Sequence, residues 1–197
     1  MMKRFLTALL ALVLSVFVLS MAFSEAGADP TPEPEPTSHI LVVYVSATGT
    51  TRGVAEKLAE GLKADLYEIV PEVPYTDADL NYNSTKSRTS IETDDPSCRP
   101  AIAGELPDLT GYDTVLIGYP IWWGDAPRIL STFVESVDLT DKTVAVFFTS
   151  GGSSLGNSMR HLQEQSGAGT WLEGKRFTPR NTVEEVTSWA VSLGIEP

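Results

Sequence analysis

Three short stretches of this 197-residue chain gather the residue types that hold a ligand rather than a fold. In the first, Ser46, Ala47, Thr48, Gly49, Thr50 and Thr51 place four hydroxyls directly ahead of a helical pattern. A helix amino terminus carries unpaired N–H groups and positive partial charge, so hydroxyls clustered there can complete the hydrogen-bond shell of an anion. A single phosphate group is the best match. The patterns G-x-x-x-x-G-K-[ST] and G-x-G-x-x-G are both missing, which withdraws support from a nucleoside triphosphate and from a dinucleotide. Serine and threonine are also common in ordinary N-cap turns, and that reading stays open beside the anion site. Arg52 can neutralise phosphate charge, with a solvated helix-surface arginine as the plainer alternative.

The second stretch follows Tyr119 and reads Pro120, Ile121, Trp122, Trp123, Gly124, Asp125. An indole in a loop at the carboxyl edge of a parallel sheet is placed to stack on a planar ligand. Stacking is expected of at least one tryptophan, and the other is expected beneath the loop as core. The third stretch runs through Thr149, Ser150, Gly151, Gly152 and on to Gly156, small enough for backbone amides to approach a flat polar ring.

Other chemistries find little footing. His39 and His161 lie in no metal-binding spacing and read as surface residues. The single cysteine, Cys98, excludes an internal disulfide, a cysteine-based zinc site and an iron–sulfur cluster held by this chain alone. Its neighbour Arg99 could lower the thiol pKa, but without a placed histidine a free loop cysteine is expected. Ser153 sits in Gly-Gly-Ser-Ser-Leu and lacks the G-x-S-x-G elbow of an α/β hydrolase.

The elements that must position these loops are legible in the apolar runs. Residues 40–45, 113–119 and 143–148 are short, β-branched and aromatic, without polar alternation, as strands buried on both faces require. Residues 65–70 give a further strand, and 170–177, poorly patterned and interrupted by Gly174, an edge strand. Helical spacing covers residues 53–64 and 126–137, with Asp125 expected to cap the latter and Pro127 to sit in its first turn. A weaker helix is expected over 154–165, and Thr182 with Glu185 forms a capping box ahead of a closing amphipathic helix. Such βαβ alternation predicts an α/β fold, a doubly wound parallel sheet of about five strands in the order 2-1-3-4-5, with ligands at the carboxyl ends. Residues 71–110 form a connection far longer than the usual few residues, and both a lid and a solvated excursion packing on a sheet edge fit it.

Ahead of the domain, Lys3 and Arg4 precede an apolar run over residues 5–23 and small residues at Ala26 and Ala28. This pattern predicts a signal peptide over residues 1–28 with cleavage after Ala28, and an uncleaved membrane anchor is the rival. Residues 29–38, DPTPEPEPTS, read as an extended linker, leaving 39–197 as the domain. The formal charge is −12; two cations and four acids precede His39, so twelve cations against twenty-two acids leave −10 on the domain. That balance disfavours nucleic acid and favours basic partners.

Taken together, the motifs Ser46-x-Thr48-Gly49-x-Thr51, Trp123-Gly124-Asp125 and Ser150-Gly151-Gly152, in this order after three strands, resemble the flavodoxin family. The resemblance implies a flavodoxin-like fold, flavin mononucleotide (FMN) as cofactor and electron shuttling as the job. It implies that residues 46–51 anchor phosphate, Trp122 or Trp123 stacks on the ring, and the third loop meets the ring's polar edge. It further implies that the Gly124 peptide turns over, so that its carbonyl accepts a hydrogen bond from the reduced flavin N5, a motion any side chain there would hinder. The sequence departs from the family where the third loop often supplies a second aromatic, because residues 151–157 contain none. A tyrosine or asparagine from the long connection, which holds Tyr75, Asn81, Tyr82 and Asn83, could cover the flavin instead.

With that resemblance the sequence reads as an exported electron carrier: a monomer that binds FMN and docks transiently on a basic redox partner protein. A quinone or flavin reductase using NAD(P)H on the same fold is the alternative, and a module that binds flavin without redox work is the third.

Overall fold

The computed structural model describes residues 39–197, so the signal segment, its cleavage point and the linker lie outside the described residues. In chain order the elements are β1 (Ile40–Tyr44), α1 (Thr50–Leu62), β2 (Asp65–Glu68), α2 (Arg88–Asp94), β3 (Thr114–Pro120) and α3 (Arg128–Ser136). There follow β4 (Thr143–Thr149), α4 (Ser158–Ser166), β5 (Thr170–Trp171), β6 (Lys175–Phe177) and α5 (Val183–Ser192). The strands pair in parallel in the order β2-β1-β3-β4-β5, with β6 also on β4. This is the expected doubly wound order.

The apolar runs become the sheet's centre because neither face can meet water. Along β1, Leu41 and Val43 enter one core with Ile129, Phe133 and Leu162 of α3 and α4. Ile40, Val42 and Tyr44 enter the other, with Val54, Leu58 and Leu62 of α1 and Val186 and Trp189 of α5. Helices thus cover both faces, and each fully buried aliphatic side chain contributes roughly 1.5–3 kcal/mol. Register is fixed partly by size: Gly118 of β3 pairs with Phe147 of β4, whose ring occupies the space a Cβ at position 118 would need.

Three expectations need correction. The last strand is two short pieces, because the chain around Gly174 passes so close to Val146 and Leu155 that a Cβ there would meet both. Pro127 is the N-cap of α3 rather than a first-turn residue, and Asp125 makes no cap; its carboxylate turns to Arg128 and His161 instead. The long connection is not merely solvated. It contains α2, returns through a Pro71–Ile102 bridge, and packs Ile102, Leu106 and Leu109 against the α3 side of the core. The α5 capping box forms as expected, with Thr182 Oγ1 accepting from the Glu185 N–H and the Glu185 carboxylate accepting from the Thr182 N–H. Among the described residues no helix is long and apolar enough to cross a membrane.

Candidate functional site

The carboxyl ends of β1, β3 and β4 open onto a cleft of about 380 Å³. Eleven residues of the three loops singled out from sequence line it: Ser46, Ala47, Thr48, Thr50, Thr51, Pro120, Ile121, Trp122, Thr149, Ser150 and Gly151. Gly49, Trp123, Gly124, Gly152 and Gly156 belong to the same three loops but do not line it. Leu80 and Tyr82 from the long connection, with Phe177, Thr178 and Pro179 after β6, complete the walls. No charged side chain is among the lining residues.

The first loop spends none of its hydroxyls on capping the helix that follows. Gly49 is the N-cap of α1 in a left-handed conformation, φ 82°, and no side chain caps the helix. The ordinary N-cap reading therefore fails, and the first-turn N–H groups of α1 lack a side-chain acceptor from the cap. Ser46 Oγ is buried with no hydrogen-bond partner among the described residues. A buried hydroxyl left unpaired costs about 1–3 kcal/mol, so a native one beside a helix amino terminus points to a bound acceptor. Thr48 Oγ1 and Thr50 Oγ1 stand 3.3 Å apart, and Thr51 Oγ1 meets Thr149 Oγ1 at 2.9 Å, tying the first loop to the third.

Arg52 does not point its charge at this cradle. Its guanidinium makes a bidentate pair with the Glu68 carboxylate at 2.6 and 2.8 Å, joining α1 to β2. That pairing, with a hydrogen bond donated to the Tyr44 hydroxyl, pushes the Arg52 pKa above its ordinary value. Phosphate binding here would rest on neutral donors and the helix dipole.

The second loop is a tight turn. Trp122 and Asp125 exchange both backbone hydrogen bonds at 2.9 Å, and the residues between them, Trp123 and Gly124, have φ of 52° and 82°. Two successive positive φ values define a type I′ turn, which glycine accepts freely and tryptophan only at a cost of about 1–3 kcal/mol. The two indoles differ in burial: Trp122 is 4% exposed and Trp123 41%. It is the buried one that reaches the cleft.

Trp122 is held from behind by the long connection. Tyr75 meets it edge-on at 5.0 Å, Arg88 lies 4.1 Å over the Tyr75 ring, and Glu92 accepts from Tyr75 Oη at 2.7 Å and from Arg88 Nε at 2.6 Å. Burial, then the Glu92 carboxylate, drives the Tyr75 pKa up, so the phenol stays protonated. Arg128 completes the frame. Buried on α3, it donates to the carbonyls of Glu92 and Thr93 at 3.2 and 2.7 Å and to Asp125 at 3.3 Å. Asp125 also meets His161 Nδ1 at 3.0 Å, so one carboxylate anchors the strained turn to α3 and α4. His161 is thus not the plain surface residue its sequence suggested, whereas His39 is well exposed.

Burial, then the Glu92 carboxylate, raises the thiol pKa of Cys98. The expected unreactive cysteine is consistent with that environment. Among the described residues no cluster of histidine, cysteine or carboxylate side chains could hold a metal ion.

Sequence reasoning missed α2 and the Arg128–Glu92 frame. The buried residues of α2 are Thr89, Ser90 and Glu92, so its inner face carries no apolar period to detect. Its one signal was Ser87 at the N-cap ahead of a run without glycine or proline.

A family profile described as Flavodoxin matches residues 39–193. Among solved structures, a Bacteroides eggerthii protein described as a flavoprotein is 46% identical, covering 80% of this chain and 98% of its own, with a TM-score of 0.75. One from Bacteroides uniformis is 43% identical over 77% of this chain and 97% of its own, with a TM-score of 0.73. A Lactobacillus acidophilus flavoprotein solved in complex with FMN is 24% identical over 77% of this chain and 97% of its own, TM-score 0.58, and shares the fold. No curated protein matches the chain. With the profile spanning nearly the whole described domain, and three loops converging on one cleft, the chain belongs to the flavodoxin family.

Proposed function

We propose that the chain is an exported FMN-binding electron-transfer protein that docks transiently, through its acidic surface, on a basic redox partner. The observation that carries the FMN reading is the buried, unpartnered Ser46 Oγ at the amino terminus of α1, opening on a cleft that Trp122 lines. Ser46, Thr48 and Thr50, with the first amides of α1, would hold the phosphate; Trp122 would meet the ring; Ser150 and Gly151 would meet its polar edge. Bound there, FMN supplies the redox chemistry by accepting and returning electrons at its ring, and the chain supplies binding, orientation and shielding. The 46% and 43% identical relatives described as flavoproteins support a flavin of some kind.

The carrier reading is supported by a cleft lining without a charged side chain, histidine or cysteine. The net charge of −12 favours electrostatic encounter with a basic protein. Export rests on the amino-terminal pattern alone.

The deciding experiment incubates the full-length chain with FMN, measures affinity by calorimetry, and then records absorbance through stepwise reduction. Saturable one-to-one binding with reduction resolved into two separate one-electron steps is expected. Absence of binding would overturn the cofactor assignment. Rapid reduction by NAD(P)H with turnover of a quinone would overturn the carrier reading in favour of a reductase. A potential unshifted from free flavin would favour a binding module.

A further inference from the structure

A fourth wall of the cleft comes from a segment that none of the three loops includes: Phe177, the last residue of β6, followed by Thr178 and Pro179. It stands at the end of the cleft where α1 begins. Phe177 pairs in register with Thr149, so the two backbones run about 5 Å apart, and Thr149 Oγ1 lies 2.9 Å from Thr51 Oγ1 in the first turn of α1. One pair of threonines therefore separates the start of this wall from the amides that open the helix.

The wall is fastened from two sides. Lys57, seven residues beyond Thr50 and so about 10 Å further along the α1 axis, donates from Nζ to the carbonyls of Pro179 at 2.9 Å and Asn181 at 2.8 Å. Asn181 closes the turn from within. Its Oδ1 accepts from the N–H and the Oγ1 of Thr178 at 2.8 and 3.0 Å, and its own N–H donates to the Thr178 carbonyl at 3.1 Å. Its Nδ2 donates to Glu185 Oε2 at 3.0 Å, the same oxygen that accepts from the Thr182 N–H at the start of α5. Pro179 adds a fixed φ, and Phe177, 1% exposed, anchors the turn in the core. Lys57 itself does not line the cleft; two of its three donors go to the turn, at the expense of rotamer freedom that a lysine on a helix surface normally keeps. A wall ordered in advance in this way can discriminate by shape, because it does not yield to a ligand that overruns it.

We propose that the 177–179 turn is the specificity wall of this cleft, admitting a ligand that ends in one phosphate monoester and rejecting one that continues past that phosphate, and that Lys57 is the positioning residue that keeps the wall in place. The assignment rests on the FMN reading above and deepens it. It names what excludes flavin adenine dinucleotide (FAD), which carries the same ring and first phosphate as FMN and extends beyond them. Rejection comes from closed backbone rather than from charge, since no charged side chain lines the cleft.

The test measures dissociation constants for FMN, FAD and riboflavin on the full-length chain and on its Lys57→Met, Lys57→Arg and Asn181→Ala variants, with a thermal melt of each. The parent should bind FAD roughly a hundredfold more weakly than FMN, the scale on which a closed pocket rejects extra atoms. Lys57→Met and Asn181→Ala should each cut that ratio about tenfold, through tighter FAD binding, and Lys57→Arg should restore it. Riboflavin, which has no phosphate to reach the wall, should keep its parental constant in all three, which general damage to the fold would not allow. A parent that binds FAD as tightly as FMN, or an FAD-to-FMN ratio unchanged in both loosened variants, would overturn the assignment and leave the FMN reading standing. Equal weakening of all three flavins, or loss of the fold, in both loosened variants would make the fastening purely structural and overturn the assignment as well. Failure of the parent to bind FMN would overturn both readings, and is visible before any variant is made.

Discussion

Thr51 Oγ1 and Thr149 Oγ1 lie 2.9 Å apart in a buried contact between the first turn of α1 and the last residue of β4. Neither hydroxyl has water to turn to, since the two residues are 1% and 3% exposed. The pair fixes the distance between the phosphate-type loop and the glycine-rich loop. Replacing either threonine by valine orphans the other hydroxyl and should destabilise the fold by about 1–3 kcal/mol. Replacing both should cost less than the sum, because no orphan remains. Urea titration of the two single variants and the double variant checks this, and strictly additive losses would contradict the coupling.

Ser46→Ala should separate folding from binding. Its Oγ is buried without a partner, so removing it relieves a desolvated hydroxyl and should leave the ligand-free chain equally stable or slightly more so. FMN affinity should nevertheless fall roughly tenfold or more, the value of a hydrogen bond to a charged group. Thermal melts and calorimetry on one preparation suffice, and a variant that loses stability yet keeps affinity would contradict the anion-cradle role.

Arg128→Ala should loosen a specific region. The guanidinium is buried against Asp125 and two α2 carbonyls, and removing one partner of a buried charged pair costs about 3–5 kcal/mol. Hydrogen exchange should accelerate most over residues 88–94, where both acceptors lie. Uniform acceleration across the sheet would mean that α2 is held by other contacts.

Stability should fall with acidification in a window set by short-range caps. The carboxyls of Asp95, Asp108 and Asp138 are held below their ordinary range first by the hydroxyls of Ser97, Thr110 and Thr140. Those of Asp79 and Glu185 are held there first by the N–H groups of Thr76 and Thr182. A pKa lower in the folded chain than in the unfolded one means that the stabilisation is complete above the unfolded value. It drains as pH drops through the folded one, so the loss should begin near pH ~4 and continue below. Urea midpoints measured across that range check it, and Glu185→Gln should flatten the profile at its upper end. A flat profile in the parent would contradict the sign.

The sheet was readable because β1, β3 and β4 are buried on both faces and written almost wholly in β-branched and aromatic residues. The loops that follow them were readable for the same reason: once the strands are placed, topology carries residues 46–51, 120–125 and 149–152 to one edge. What escaped was held by polar contacts between distant residues. Arg128 and Glu92 look like surface charges in sequence, and only the fold shows them framing the Trp122–Asp125 turn from inside. The broken last strand escaped because its break depends on how near Val146 and Leu155 approach Gly174, a matter of packing rather than pattern.

The divided β5–β6 margin also governs how the molecule meets copies of itself. An uninterrupted outer strand would offer a long row of unpaired amides on which a neighbouring chain could assemble. Here the outer row breaks after Trp171 and resumes at Lys175, beside Arg176, with both cations exposed. Any chain trying to extend the sheet would find too few contiguous amides and two like charges, a safeguard against fibrous growth at that border.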